Sequence, residues 1–316
     1  MRRWWVSPPP AAGLEIAVGR VTALAVSARR DGPVVAAHAT EPLPEGAVAP
    51  GLTAENLADP AGVEAAVRRV LAAVGRPRRV ALVIPDAAAK VSLVRFEKVP
   101  ARRDDLEALI RHQVRKAVPF PIETAQVGFF PGAVTEAGHE FVVAVARREV
   151  VEAYEGVCRR AGADPGLVDL ASFDLANVVI AGDRRAGGVP AGDWLLVHLT
   201  PRSSTMLIVR GDALIFYRHR PVADGEPLVD LVHQTAMYYE DRLNGAGFAR
   251  VVLAAGGEIA AREAAGARRT LEERLAAPVA VLDPARAAAL TDRIAASPEL
   301  LAALAPPLGA VLREAA

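Results

Sequence analysis

Histidine, cysteine, serine and the acidic residues are the side chains from which a catalytic or metal centre is built, and their spacing in this chain excludes most such centres. The six histidines, His38, His112, His139, His198, His219 and His233, form no H-E-x-x-H or H-x-H pattern, so no zinc site is expected from them. Cys158 is the only cysteine, which leaves no intramolecular disulfide and no multi-cysteine metal site. It shares a helical face with Val150, Val151, Tyr154 and Val157, a pattern that predicts core packing rather than nucleophilic chemistry. Ser203-Ser204 lacks the glycine-framed turn of a hydrolase nucleophile. Arg102-Arg103 and Arg76-Pro-Arg-Arg79 are short basic clusters of the kind solvated turns carry, although the second would also suit anionic lipid.

Such residues need elements to position them, and composition sets what is available. Apolar residues make up 52% of 316, enough for a large core or two. Lysine plus arginine equals aspartate plus glutamate at 37 each, so the bulk positive charge of a nucleic-acid binder is missing and no nucleic-acid partner is expected. Apolar runs such as Trp194–Val197 and Phe141–Ala146 are too short to span a bilayer. Met1-Arg-Arg-Trp-Trp-Val6 begins like a signal peptide, but Pro8-Pro9-Pro10 stands where an apolar stretch should follow. Residues 1–12 therefore read as a tail, and the expected location is the cytoplasm.

Strand-like and helix-like segments alternate, which predicts an α/β fold. Three strand-like runs, Leu14–Val18, Val21–Ala28 and Pro33–Ala39, precede an amphipathic helix over Gly62–Val74 and a strand over Val80–Ile84. The order recurs later: Trp194–Leu199, Thr205–Val209 and Ala213–Arg218, then a helix over Pro227–Leu243 and a strand over Val251–Ala254. Glycine and aspartate at the tips are hairpin signals. Two copies of strand-strand-strand-helix-strand predict two like-built lobes. Between them, Val91–Lys98 reads as a strand. A helix follows, with Asp104 and Glu107 in capping-box spacing, a stripe of Leu106, Leu109, Ile110, Val114, Ala117 and Val118, and Pro119 as its stop. Strands near Ala125–Phe130 and Glu140–Ala146 and the Cys158 helix complete a block that the duplication does not explain. The expected division is a first lobe of residues 13–90 and 164–182, an inserted subdomain of 91–163, a linker of 183–192 and a second lobe of 193–316.

This layout resembles the actin and sugar kinase superfamily, whose lobes close on a nucleotide. The inserted block narrows the resemblance. Leu93-Val-Arg-Phe-Glu-Lys-Val-Pro100, followed by Asp105-Leu-Glu-Ala-Leu-Ile-Arg-His-Gln-Val-Arg-Lys-Ala-Val-Pro-Phe-Pro-Ile-Glu123, is similar to the segment of PilM proteins in which a strand ending in proline leads to a helix and a Pro-Phe turn. Val142-Val-Ala-Val-Ala-Arg147, Ala161-Gly-Ala-Asp-Pro-Gly166, Tyr238-Tyr239 and Pro307-Leu-Gly-Ala-Val-Leu-Arg313 match in order and spacing. The resemblance covers roughly residues 13 to 313. It implies an α/β, actin-like (ribonuclease H-like) duplicated two-lobe fold with a small inserted α+β subdomain. It also implies an assembly role at the inner face of the cytoplasmic membrane, with a PilN-like bitopic membrane protein and other pilus platform proteins as partners. The cytoplasmic part of the type II secretion protein GspL is a relative of PilM proteins.

The resemblance further implies a nucleotide cleft, ATP with Mg²⁺, framed by two hairpin turns and a Gly-Gly turn. The residues that fall there are Glu15 and Gly19 in the first turn, Ser203, Ser204 and Thr205 in the second, and Gly256, Gly257 and Glu258 in the third. Glu15 stands where aspartate is usual, Ala17 and Thr200 replace close-approach glycines, His198 replaces the second aspartate, and Pro201 removes a backbone donor. A metal site short of a carboxylate loses much of its hold. The expected result is a degenerate cleft with weak nucleotide binding or none, the alternative being a functional PilM-type ATPase. A small-molecule kinase of the same superfold fits less well, for no catalytic base is apparent near the first lobe. For the partner tail, the apolar run Val118, Phe120, Pro121 and Ile122 at the junction of subdomain and first lobe is the expected contact.

Overall fold

The computed structural model of the chain describes residues 10–188, 191–222, 225–255, 261–291, 294 and 296–313. Strands β1 (Ala12–Ala17), β2 (Arg20–Arg29) and β3 (Gly32–Pro42) form an antiparallel meander. Gly19, at φ +81°, turns its first tip in the left-handed region that side chains avoid. Helix α1 (Pro60–Ala73) is capped by Asp59, whose side chain accepts from the Gly62 amide, and has Pro60 at its first position. Its buried stripe of Val63, Ala66, Val67, Val70 and Leu71 lies in the first-lobe core. Strand β4 (Arg79–Ile84) then adds parallel to β1.

The inserted block supplies β5 (Ala89–Phe96), α2 (Arg103–Val114), β6 (Ala125–Thr135) and β7 (Gly138–Arg147), with sheet order β5-β7-β6. Leu106, Ile110, Val114, Phe141, Val143 and Val145 give it a core of its own. Two details differ from expectation. Helix α2 starts at Arg103 with no side-chain cap, so Asp104 and Asp105 act only as negative charges in the first turn. The helix ends at Val114, before Pro119 can stop it.

Helix α3 (Arg148–Arg160) packs on α1, and its Val150, Tyr154, Val157 and Cys158 enter the first-lobe core. The subdomain therefore ends near residue 147 rather than 163. Its small sheet has α2 for cover, whereas the strongly one-sided α3 needs the larger sheet. Strand β8 (Asp164–Leu170) follows parallel to β4, and α4 (Ala171–Arg185) runs into the segment expected to be linker.

The second lobe repeats the first. Strands β9 (Trp194–Thr200), β10 (Ser203–Arg210) and β11 (Ala213–Pro221) form a meander, α5 (Leu228–Leu243) crosses, and β12 (Arg250–Ala255) adds parallel to β9. Helix α6 (Ala261–Leu275) leads to β13 (Val279–Val281), and the order β11-β10-β9-β12-β13 reproduces β3-β2-β1-β4-β8. Leu195, Val197, Met206 and Ile208 meet Leu231, Val232 and Leu271 of α5 and α6. The alternate residues Trp194, Leu196, Leu207 and Val209 join the core of the first lobe, as the period of two requires.

The chain then returns. Strand β14 (Ala289–Leu290) pairs parallel to β3, and α7 (Pro298–Leu312) packs against α4 and across β1, β2 and β4. These elements were expected in the second lobe. Helix α7 is buried continuously from Ala303 to Ala310, and α5 and α6 already cover the outer face of the second sheet. Glycines set the closeness of its packing: a Cβ on Gly309 would lie 1.9 Å from the Asp174 carbonyl oxygen, and one on Gly13 would lie 2.1 Å from that of Pro307.

Candidate functional site

Strand register brings the two halves into correspondence. On the first sheet Glu15 pairs with Thr22 and Thr22 with Thr40. On the second, His198 pairs with Thr205 and Thr205 with His219. Glu15 and His198 thus hold equivalent places. His198 and Thr205 share the parity of Leu196 and Leu207, so the same alternation that buries those leucines against the first lobe aims the polar pair at it.

There they meet Asp86, the first residue of a short 3₁₀ turn just past β4. Its carboxylate is 4% exposed and accepts four hydrogen bonds. Oδ1 takes the Ser172 amide at 3.0 Å and the Ser172 hydroxyl at 2.8 Å. Oδ2 takes Thr205 Oγ1 at 2.9 Å and His198 Nδ1 at 3.2 Å. With its hydroxyl proton given to Asp86, Thr205 accepts from His219 Nδ1 at 2.9 Å. Burial pushes the Asp86 carboxyl up, but the His198 hydrogen bond, the two nearby imidazoles and the Ser172 amide outweigh it and bring the group down to about 2. Burial lowers His219, so its ring is neutral at pH 7. Asp86 also caps α4 from outside, since Leu170 at the helix start offers no side chain for the purpose. A second bond between the lobes is bidentate: Arg250 of β12 grips buried Asp183 of α4, with Nη1 to Oδ1 at 2.8 Å and Nη2 to Oδ2.

Above Asp86 lies a cleft of about 590 Å³ between the lobes, lined among others by Glu15, Arg20, Lys90, Arg202, Ser203 and Arg218. Glu15 Oε2 accepts from Arg20 Nη2 at 3.1 Å, both side chains largely buried. At the β9–β10 tip, Thr200 Oγ1 accepts from the amides of Ser203 at 2.9 Å and Arg202 at 3.3 Å and closes the turn on itself.

A larger groove, about 1060 Å³, runs between the first lobe and the subdomain. One wall is β6, through Gln126, Val127, Gly128, Phe129 and Phe130; the other is β8 from Pro165 to Leu170. Each is the edge strand of its sheet. Asp169 lies in the groove, bonded to Arg313 Nη1 at 2.9 Å. Behind it, burial and the neighbouring Asp169 charge hold Asp174 well above the usual carboxylate range. An aromatic file connects groove and cleft: Phe130 to Phe173 and Phe173 to Tyr217 have centroid separations of 5.6 Å each.

The structure brings Glu15 and Ser203 into one cleft beside the Gly19 turn. Thr205 is instead spent on Asp86, and Ser204, at the alternate position of β10, does not line the cleft. Gly256, Gly257 and Glu258 lie outside the described residues. Val118 is buried in the subdomain core, with Phe120 and Ile122 packed against it, and only Pro121 of that run is exposed. Sequence reasoning missed Asp86, Arg20, Ser172 and His219. Asp86 had a usable signal, being the first polar residue past the carboxyl end of a parallel strand, where open α/β sheets present ligand groups.

A scan against protein families matches residues 13–235 to the type IV pilus assembly protein PilM. Among solved structures, the PilM-PilN type IV pilus biogenesis complex aligns with a TM-score of 0.78 at 21% identity, covering 96% of this chain and 99% of that one. The cytoplasmic domain of EpsL, an inner membrane component of the type II secretion system of Vibrio cholerae, aligns over 77% of this chain and 81% of that one at 9% identity, with a TM-score of 0.48. No curated protein matches. The architecture is the actin-like one, two like-built lobes with an inserted subdomain. With the family match spanning more than half its length, the chain belongs to the PilM family of type IV pilus assembly proteins.

Proposed function

We propose that this protein is a scaffold of the inner-membrane pilus platform that docks the cytoplasmic N-terminal tail of a PilN-like membrane protein in the groove between β6 and β8, and that it does not hydrolyse ATP. The observation that carries the docking reading is the pair of open strand edges facing one groove. Edge strands offer unpaired backbone groups, and an extended segment can add to either one while its side chains enter apolar pockets. Phe129, Phe130, Leu167, Val168 and Phe173 line such pockets. Val118, Phe120 and Ile122 back the β6 wall from the subdomain core, and Arg111 Nη1 ties α2 to the start of β6 through the Ile122 and Ala125 carbonyls. The relative with the TM-score of 0.78 is itself a PilM-PilN complex, which supports the choice of partner. No helix among the described residues is long and apolar enough to cross a membrane. The non-hydrolytic reading rests on the cleft carboxylates, since Glu15 and Asp86 are both bonded to protein groups and neither is left to orient a water.

Calorimetry with a synthetic N-terminal tail peptide tests the docking. A Cβ on Gly128 would meet nothing within 4 Å, and the residue lines the groove, so Gly128→Trp places an indole in it. The expected result is micromolar binding to the wild-type chain and at least a roughly tenfold loss in the variant at unchanged melting temperature. No binding at tens of micromolar, or equal binding by the variant, refutes the site. Phosphate release from ATP above the buffer rate refutes the non-hydrolytic assignment.

A further inference from the structure

Both acidic side chains of the cleft are engaged within the protein. The four acceptor sites of Asp86 are filled, and Glu15 is ion-paired to Arg20. A divalent cation at a phosphate site needs carboxylate oxygens or waters held by them. Among the described residues, no group of three or more His, Cys, Asp and Glu side chains is placed to hold a metal ion. The residues present therefore do not fit the Mg²⁺ that the actin-like fold implies. The amides of Arg202 and Ser203, which could have formed an anion-binding nest, are turned onto Thr200.

What the cleft does offer is positive charge. Lys90, Arg202, Arg218 and Arg220 line it, and among the described residues Lys90 and Arg202 make no ion pair. Deeper in, Arg20 lines the same space, and its Nε is buried with no acceptor in the protein. A buried guanidinium N–H without a partner is costly, and an anionic oxygen is the partner that suits it best. The rim adds a ring face, Tyr238 packed 5.3 Å from Phe216, and the volume is in the range of cofactor sites.

We infer that the cleft is a metal-independent anion site taking the phosphates of a polyphosphate ligand, with Lys90 and Arg202, cleft cations that no carboxylate among the described residues neutralises, supplying the charge in place of a divalent ion and Arg20 serving as a further donor. The site stands whether or not the groove binds a peptide.

The experiment is calorimetry of the full chain with sodium tripolyphosphate and with ATP, each in EDTA and in excess Mg²⁺. Both ligands are expected to bind in EDTA, and Mg²⁺ is expected to weaken each about threefold or more, because it neutralises the charge that the arginines read. Equal affinities identify the phosphate chain alone as the recognised group, and tighter ATP identifies a nucleotide; either result supports the site. Binding that appears only with Mg²⁺, or no binding in either buffer, overturns it. Arg20→Ala removes a charge-assisted donor and is expected to weaken binding about tenfold. Since that change also strands Glu15, Arg202→Glu at the exposed hairpin tip serves as the second variant, with a similar loss at unchanged melting temperature. Unaltered binding by Arg202→Glu, or loss of Mg²⁺-dependent binding in Glu15→Gln, overturns the inference.

Discussion

Asp86 is the residue whose removal should do most to separate the lobes. Asp86→Ala leaves the Ser172 amide and hydroxyl, His198 Nδ1 and Thr205 Oγ1 without their common acceptor. Each stranded buried donor costs about 1–3 kcal/mol. Thr205 keeps His219 as a partner, and water can reach the site from the cleft, so the sum falls well below four full penalties. We expect about 3–4 kcal/mol, in line with breaking a buried charged pair. The carboxyl gives an independent check. Its fall from 3.8 to about 2 on folding is worth about 2 kcal/mol in favour of the ionised form. A depressed acid stabilises above its unfolded value, and the contribution is lost as pH falls through the folded one. Wild-type stability should therefore decline by about 2 kcal/mol more than that of Asp86→Asn between pH 4 and pH 2. Urea denaturation of wild type, Asp86→Ala and Asp86→Asn across that range measures both quantities. An alanine variant within about 1 kcal/mol of wild type at pH 7, or parallel pH profiles for wild type and the asparagine variant, refutes the reasoning.

Gly309→Val should cost about 3 kcal/mol or more, or prevent folding, because its side chain collides with the Asp174 carbonyl, whereas Gly128→Ala should be near neutral; thermal melts compare the two. Asp174 sits buried with Oδ2 unpartnered and its carboxyl held well above the usual range. An acid raised on folding favours the native state at low pH and costs stability as pH climbs toward its folded value. Asp174→Asn should accordingly gain on wild type from pH 5 to pH 8 in denaturant titrations, and an equal difference at both refutes this. The Cys158 thiol is fully buried and pushed up to about 12, so a thiol reagent should label it at the rate of global unfolding, not faster.

Period and turn chemistry made the strands readable. The unbroken apolar run Trp194–Val197 and the glycine at 19 located both meanders, because a sheet with two buried faces leaves a long apolar signature. Ownership of helices was harder. Nothing local in α3 says that it leans on α1 rather than on the β7 strand before it, and nothing in the all-round apolar α7 names the sheet it joins. The site shows the same division. Glu15 and His198 were found because each sits near a hairpin tip of a recurring unit. Asp86 and Ser172 are far from either tip in sequence, and only the closing of one lobe on the other places them with His198 and Thr205.

The return of β14 and α7 to the first sheet bears on how the molecule is made. During synthesis, β1, β2 and β4 emerge early, but the helix that seals their second face is translated only after the whole second lobe. The nascent first lobe must wait with Gly13 and the α4 backbone uncovered, and these are the surfaces against which α7 fits most tightly. Domains that are contiguous in sequence can fold as they leave the ribosome. Here the first lobe is the first to be born and the last to be finished.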